Sequence, residues 1–280
     1  MSEPGAKLPS PGAAAAGDAR EEGEPAAGGE PAVEEKASFF DHLNELRVRL
    51  VHAAAGVAVG MALVGWWVDD IFRFVMRPVI ASLPEGQRHL NYTSYLEPFL
   101  VYLKVALYGG LFAAAPWVLY QIWLFIAPGL YKREKSVVTP FLLIGTALFY
   151  AGIVFTYFVV MPYAFPALAA IAGPDMNPLL TMREQLTLVL AMMLGFGVVF
   201  EIPVIVAFLS MIGLVTPEFL SKYRRHAVIV NVLLAALLTP TGDPFNLALM
   251  ALPMVLFYEV GILAARIVGK KRAPEAAEAS

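Results

Sequence analysis

Glu201 is the single charged residue in Gly195–Leu209, GFGVVFEIPVIVAFL, where every other position is apolar, Gly or Pro. A carboxylate at the centre of such a run is costly in lipid, so it faces a bundle or water and by default marks a functional site. The plainer alternative is a protonated acid that hydrogen-bonds a neighbouring helix and only holds the structure together. Pro203, two residues on, removes a backbone donor and bends the helix. A bend beside a carboxylate suggests a concave, wetted pocket. A second acid, Glu45, lies in FFDHLNELRVRL (Phe39–Leu50), four residues before Arg49, at the spacing that pairs side chains on one helical face. Leu43, Leu46 and Leu50 share another face; an amphipathic helix start with basic flanks explains this stretch as well as function does. A third acid, Glu134, stands among Lys132, Arg133 and Lys135 in FIAPGLYKREKS (Phe125–Ser136), and by periodicity alone it is a local counter-ion in a basic loop. In LLTPTGDPFN (Leu237–Asn246), Pro240 ends one helix, Pro244 starts the next and Asp243 can cap it.

Other chemistry is poorly supported. The histidines, His42, His52, His89 and His226, are scattered, with no H-E-x-x-H. The chain has no G-x-S-x-G elbow or phosphate-binding Gly loop. It has no cysteine, which excludes disulfides, thiolate metal sites and Cys nucleophiles. Neither an enzyme nor a cofactor or metal site is expected.

The elements that must position these acids are membrane helices. Of 280 residues, 59% are hydrophobic, the mean hydropathy is +0.66, and long apolar runs recur. The net charge of −3 is concentrated in an acidic Ala/Gly/Pro-rich tail, residues 1–37, too poor in large apolar side chains to fold and expected to be disordered. It lacks the pattern of a secretory signal peptide. Six spans follow within 38–268, at Leu50–Val68, Phe99–Ile126, Val137–Pro166 (kinked near Pro162), Leu186–Ile212, His226–Leu238 and Phe245–Val268, before a C-terminal tail, 269–280. The fifth offers only about 20 Å of helix. Twelve basic residues flank the spans on the side of the termini, from Arg47 to Arg272, against four (Arg73, Arg77, Arg88 and Arg183) on the other, so both termini are expected in the cytoplasm. The loop Asp69–Pro98 carries an amphipathic segment with Ile71, Phe72, Val75, Val79 and Ile80 on one face, which lies on the membrane or caps the bundle. Lys104 and Glu259, near span ends, are read as structural, with Lys104 snorkelling outward.

Together these stretches resemble the TatC family, the polytopic core of the twin-arginine protein translocase. The matches are HLNELRVRL (His42–Leu50), FIAPGLYKREK (Phe125–Lys135), YFVVMPYAF (Tyr157–Phe165), FEIPV (Phe200–Val204), LLTPTGDPF (Leu237–Phe245) and ALPMVLFYEVGI (Ala251–Ile262), in order over about residues 38–268. The resemblance implies a receptor for folded proteins that bear a signal peptide with paired arginines. It implies recruitment of small single-span partner subunits of the TatA and TatB type, in an oligomeric complex of the cytoplasmic membrane driven by the proton-motive force, with no covalent chemistry on the cargo and no nucleic acid. By resemblance, Glu45 and Glu134 receive the twin arginines, Arg47 and Arg49 hold those acids in place, and Leu43, Leu46, Phe125 and Tyr131 bound the groove. Glu201 becomes a polar contact for an inserted helix in a cupped bundle face. Pro203, Pro240 and Asp243 are implied to belong with Glu201 to the partner contact, and the short fifth and sixth helices to form the partner-docking edge. Pro78 matches the proline of the outer-loop cap. One departure is Leu247, beside Asn246, where family members often carry a polar Gln. The rival reading from the residues alone is a proton-coupled small-solute transporter with Glu201 as the carrier acid. It requires further ionisable groups along a path, and only Lys104 and Glu259 are candidates.

Overall fold

The structure is a computed structural model. It describes the backbone at residues 31–83, 88–126, 138–172, 179–238 and 244–278, and side chains at 42–83, 88–126, 139–170, 179–237 and 244–267. The chain divides into two compact units, Met1–Asn44 and Glu45–Ser280. The described part of the first is helical backbone from Pro31, ahead of the position 38 expected for the membrane domain.

The described residues are helical apart from short turns and one isolated bridge. Helix α1 (Pro31–Val64) runs through a short 3₁₀ turn into α2 (Val68–Ala81). Helices α3 (Glu97–Ala113) and α4 (Ala115–Ile126) follow, then α5 (Val138–Phe155), a π-helical turn at Thr156–Val160, and α6 (Met161–Ala172). Next come α7 (Met182–Val199) and α8 (Ile202–Met211), the short α9 (Pro217–Lys222), α10 (Arg224–Leu238) and α11 (Pro244–Glu278). By length and composition, four helical runs can cross a membrane, or five when the bent α3–α4 pair is taken as one. Helix α10 has 15 residues, about 22 Å at 1.5 Å per residue, shorter than a bilayer core.

Prolines set the breaks, and tyrosines claim what the prolines release. The second expected span is not one straight helix: α3 and α4 meet at 57°. Pro116 has no N–H for the carbonyl of Phe112. That carbonyl instead accepts the hydroxyl of Tyr150, from α5, at 2.9 Å. In α2, Pro78 likewise leaves the Phe74 carbonyl without its helical donor, and Tyr157 donates to it at 2.8 Å while its ring stacks on Phe74 at 4.5 Å. Just before Pro162, where a kink is expected, the helix takes a π turn in which the Met161 N–H reaches back to the Thr156 carbonyl, and Thr139–Ala170 remains one helical run.

The centre of the bundle is α7. Buried residues make up 72% of the most apolar window of Met182–Met211, against 6% for His42–Ala81. Leu186, Val189 and Phe196 of α7 are fully enclosed, together with Val101 of α3 and Met161 of α6. The amphipathic segment is α2, and its apolar face packs into the bundle: Phe72, Val75, Met76 and Val79 join the same core cluster. Ile71 and Ile80, expected on the same face, are half-buried against it. Asp69 accepts the Tyr102 hydroxyl at 3.0 Å, tying the start of α2 to α3. Helix α1 meets α3 where Gly60 and Gly110 face each other, backbone against backbone, with no room for a Cβ on either.

Candidate functional site

Glu201 falls in the break between α7 and α8. The Phe200 N–H still reaches the Phe196 carbonyl at 3.0 Å, and the Glu201 N–H takes a tighter three-residue bond to Val198 at 3.1 Å. Pro203 then stands near the start of α8, where its missing N–H costs least. The bend expected at Pro203 is therefore a one-turn interruption that falls on the acid itself. The residue is 7% exposed, and its Oε1 is buried with no hydrogen-bond donor among the described residues. Its Oε2 lies over Gly145 of α5, where a Cβ would stand 2.8 Å away. Gly145 thus provides the space the carboxylate occupies. Gln121 of α4 is also buried, and its Oε1 likewise lacks a donor.

The other ionisable residues of the spans are engaged elsewhere. Lys104 does not snorkel freely: its ammonium donates to Thr187 of α7 at 2.8 Å. Glu259 pairs with Arg224 at 3.1 Å. Neither shares a contact with Glu201, so no relay joins them among the described residues.

A second buried carboxylate was not singled out by the sequence. Glu97, at the start of α3, is 4% exposed and accepts from three donors. Thr93 donates its N–H at 2.7 Å and its hydroxyl at 2.8 Å to Oε2, and the N–H of Arg183 donates to Oε1 at 3.1 Å. Asn91 adds an isolated parallel bridge, with N–H to the Leu180 carbonyl and carbonyl to the Met182 N–H, each 2.9 Å. These bonds fasten the loop after α2 to the first turn of α7. Glu97 followed by Pro98 is a readable helix-start signal, but its partner Arg183 lies far along the chain.

At the other sequence-predicted site, Glu45 and Arg49 pair as their spacing expected, through one contact of 3.3 Å. Arg47 is exposed on the same helix, Leu46 is 43% exposed, and Leu43, in the N-terminal unit, is 44% exposed. Phe125 is half-buried near the end of α4. Glu134, Tyr131, Pro240 and Asp243 lie outside the described residues. Pro78 sits within α2, where it releases the carbonyl that Tyr157 takes. Leu247 is half-buried against the core, and Asn246 beside it is buried.

Comparison with known proteins gives this arrangement a family. Residues 41–253 match the family model of the Sec-independent protein translocase protein (TatC). The Sec-independent protein translocase protein TatC of Koribacter versatilis (strain Ellin345) is 40% identical over 244 residues, covering 86% of this chain and 90% of that one. The TatC of Escherichia coli (strain K12) is 37% identical over 241 residues, covering 86% and 93%. A crystal structure of the twin arginine translocase receptor TatC superposes with a TM-score of 0.71 at 32% identity, over 81% of this chain and 99% of that one. The chain belongs to the TatC family of Sec-independent protein translocase components.

Proposed function

We propose that this chain is the receptor and core subunit of a twin-arginine translocase, that it binds the paired arginines of a cargo signal peptide, and that it recruits single-span partner subunits of the TatA and TatB type. The solved relative is itself described as a twin arginine translocase receptor. In this reading the chain crosses the cytoplasmic membrane six times, with both termini inside, and works in an oligomeric complex driven by the proton-motive force. It performs no covalent chemistry on the cargo.

The observation that carries the reading is the Glu45–Arg49 pair. Its single contact of 3.3 Å is long beside the roughly 2.7–2.9 Å of a strong guanidinium–carboxylate bond. A loosely held internal arginine is readily exchanged for a guanidinium fork from a peptide. Glu134 is the second acceptor, Arg47 and Arg49 keep the acids poised, and Leu46, Phe125 and Tyr131 flank the peptide. Glu201 is then the polar contact for an incoming helix, on an edge shaped by Pro203, Pro240 and Asp243. The solute-transporter reading has no support from the polar contacts of Lys104 and Glu259.

The test is binding of a labelled signal peptide to the full-length protein in nanodiscs, with its two arginines intact or replaced by lysines. Arginine should bind about tenfold or more tightly, the worth of one charge-assisted bidentate contact. Glu45→Ala and Glu134→Ala should each remove that preference. Equal, salt-sensitive binding of both peptides would reduce the interaction to unspecific electrostatics and defeat the proposal.

A further inference from the structure

Lys104 lies seven residues beyond Glu97 on the same face of α3, about 10 Å along the helix. Its side chain is half-buried within a helix pair apolar enough to cross a membrane. Its ammonium carries three donors, and its hydrogen-bond partner is the neutral hydroxyl of Thr187 at 2.8 Å. That hydroxyl gives its own proton to the Arg183 carbonyl at 2.6 Å, so its oxygen is an acceptor with no charge to offer. Among the described residues no carboxylate lies within ion-pair distance of Lys104. A half-buried cation is costly unless something neutralises it.

The ammonium borders a cleft of about 640 Å³ between α3 and the first turns of α7, which also takes in Thr93, Glu97, Arg183, Glu184 and Gln185. That volume lies in the range of small-ligand sites. The two acids in the lining do not neutralise the lysine. Glu97 spends its oxygens on Thr93 and the Arg183 N–H, and Glu184 is exposed. The backbone donors at the start of α7 are also taken: Arg183 by Glu97, Glu184 by the Thr181 hydroxyl, and Gln185 by the Thr181 carbonyl. The cleft therefore offers a lysine with donors to spare, beside a second cation, Arg183. It opens near a helix end, where a lysine of this length reaches the headgroup level of a bilayer.

We propose that this cleft binds a phosphate group, with Lys104 as its charge partner; a membrane phospholipid headgroup and free inorganic phosphate are the two sources of that chemistry. The full-length protein, purified in a maltoside detergent free of phosphate, is titrated separately with phosphatidylethanolamine, phosphatidylglycerol and inorganic phosphate. Bound ligand is counted by native mass spectrometry. Wild type and Lys104→Arg should retain one phospholipid that Lys104→Gln loses, with binding weaker by about tenfold or more, as expected for a missing charge-assisted bond. Retention of inorganic phosphate alone, with the same dependence on Lys104, would uphold the phosphate site and assign it the soluble source. Lys104→Met is the second neutral variant, should Lys104→Gln not fold. Equal retention by wild type and the neutral variants, or retention of neither ligand by wild type, would overturn the proposal. Signal-peptide affinity, measured alongside, should be unchanged by these substitutions.

Discussion

Two carboxylates are buried in this bundle to nearly the same degree, and they are treated in opposite ways. Glu97 is 4% exposed and meets three donors; Glu201 is 7% exposed, with Oε1 meeting none among the described residues. A buried acid with its acceptors filled is structural, since it fixes every group that donates to it. Glu97 fastens the Thr93 loop to the start of α7. A buried acid left unfilled lowers stability, because it has been desolvated without compensation. The fold keeps Glu201 in that state with some care. Gly145 makes room for it, and the α7–α8 break turns on it. The contrast supports the proposal that the missing donor for Glu201 is brought by an incoming helix.

Substitutions can break this comparison from either side. The largest expected effect on the protein itself is that of Glu97→Ala. It strands the Thr93 and Arg183 donors and releases the loop, and should lower the melting temperature in detergent by on the order of 5 °C or more. Glu97→Gln, which keeps one acceptor oxygen, should fall between that variant and wild type. Gly145→Ala comes next. Its Cβ would stand 2.8 Å from Glu201 Oε2, so the carboxylate must move. The stability cost should stay near ~1 kcal/mol, read by thermal unfolding, while export of a reporter protein with a twin-arginine signal falls steeply. The Tyr157→Phe variant removes one hydroxyl from the Phe74 carbonyl and should cost about 1 kcal/mol, with its ring still stacked. Pro78→Ala should soften that loss, because it returns a backbone N–H to the same carbonyl. The smallest effect on stability is expected for Glu201→Leu. Removing an unsatisfied acid should leave the melting temperature unchanged or raise it slightly.

The sequence made some of this legible and hid the rest for identifiable reasons. Glu201 stood out because a charge in an apolar run needs no partner to be noticed. The Glu45–Arg49 pair was readable because both residues lie one helical turn apart. The buried face of α2 was readable from its apolar periodicity, although Met76, fully buried, was passed over. What periodicity cannot supply is long-range pairing. Glu97 meets Arg183, Lys104 meets Thr187, and Tyr157 meets Phe74 across 86, 83 and 83 positions of chain. Prolines announced a kink near 162 and a bend at 203, and only the second coincides with a break between helices. The 57° bend at Pro116 went unnoticed because an apolar run of span length masks a single proline within it. The tyrosines that take the released carbonyls could have been suspected only with the helix pairing known.

The central claim is that Glu201 is an acceptor reserved for another chain's helix, as Glu97 is an acceptor used within this one. The most direct measurement pairs two readouts on the full-length protein in nanodiscs: its melting temperature and its affinity for a single-span partner subunit. Both are compared between wild type and Glu201→Leu. The account predicts a melting temperature equal to or above wild type, with affinity reduced about tenfold, the worth of one hydrogen bond to a charged group. A melting temperature that falls as it does for Glu97→Ala, with affinity unchanged, would make Glu201 a structural acid and contradict it.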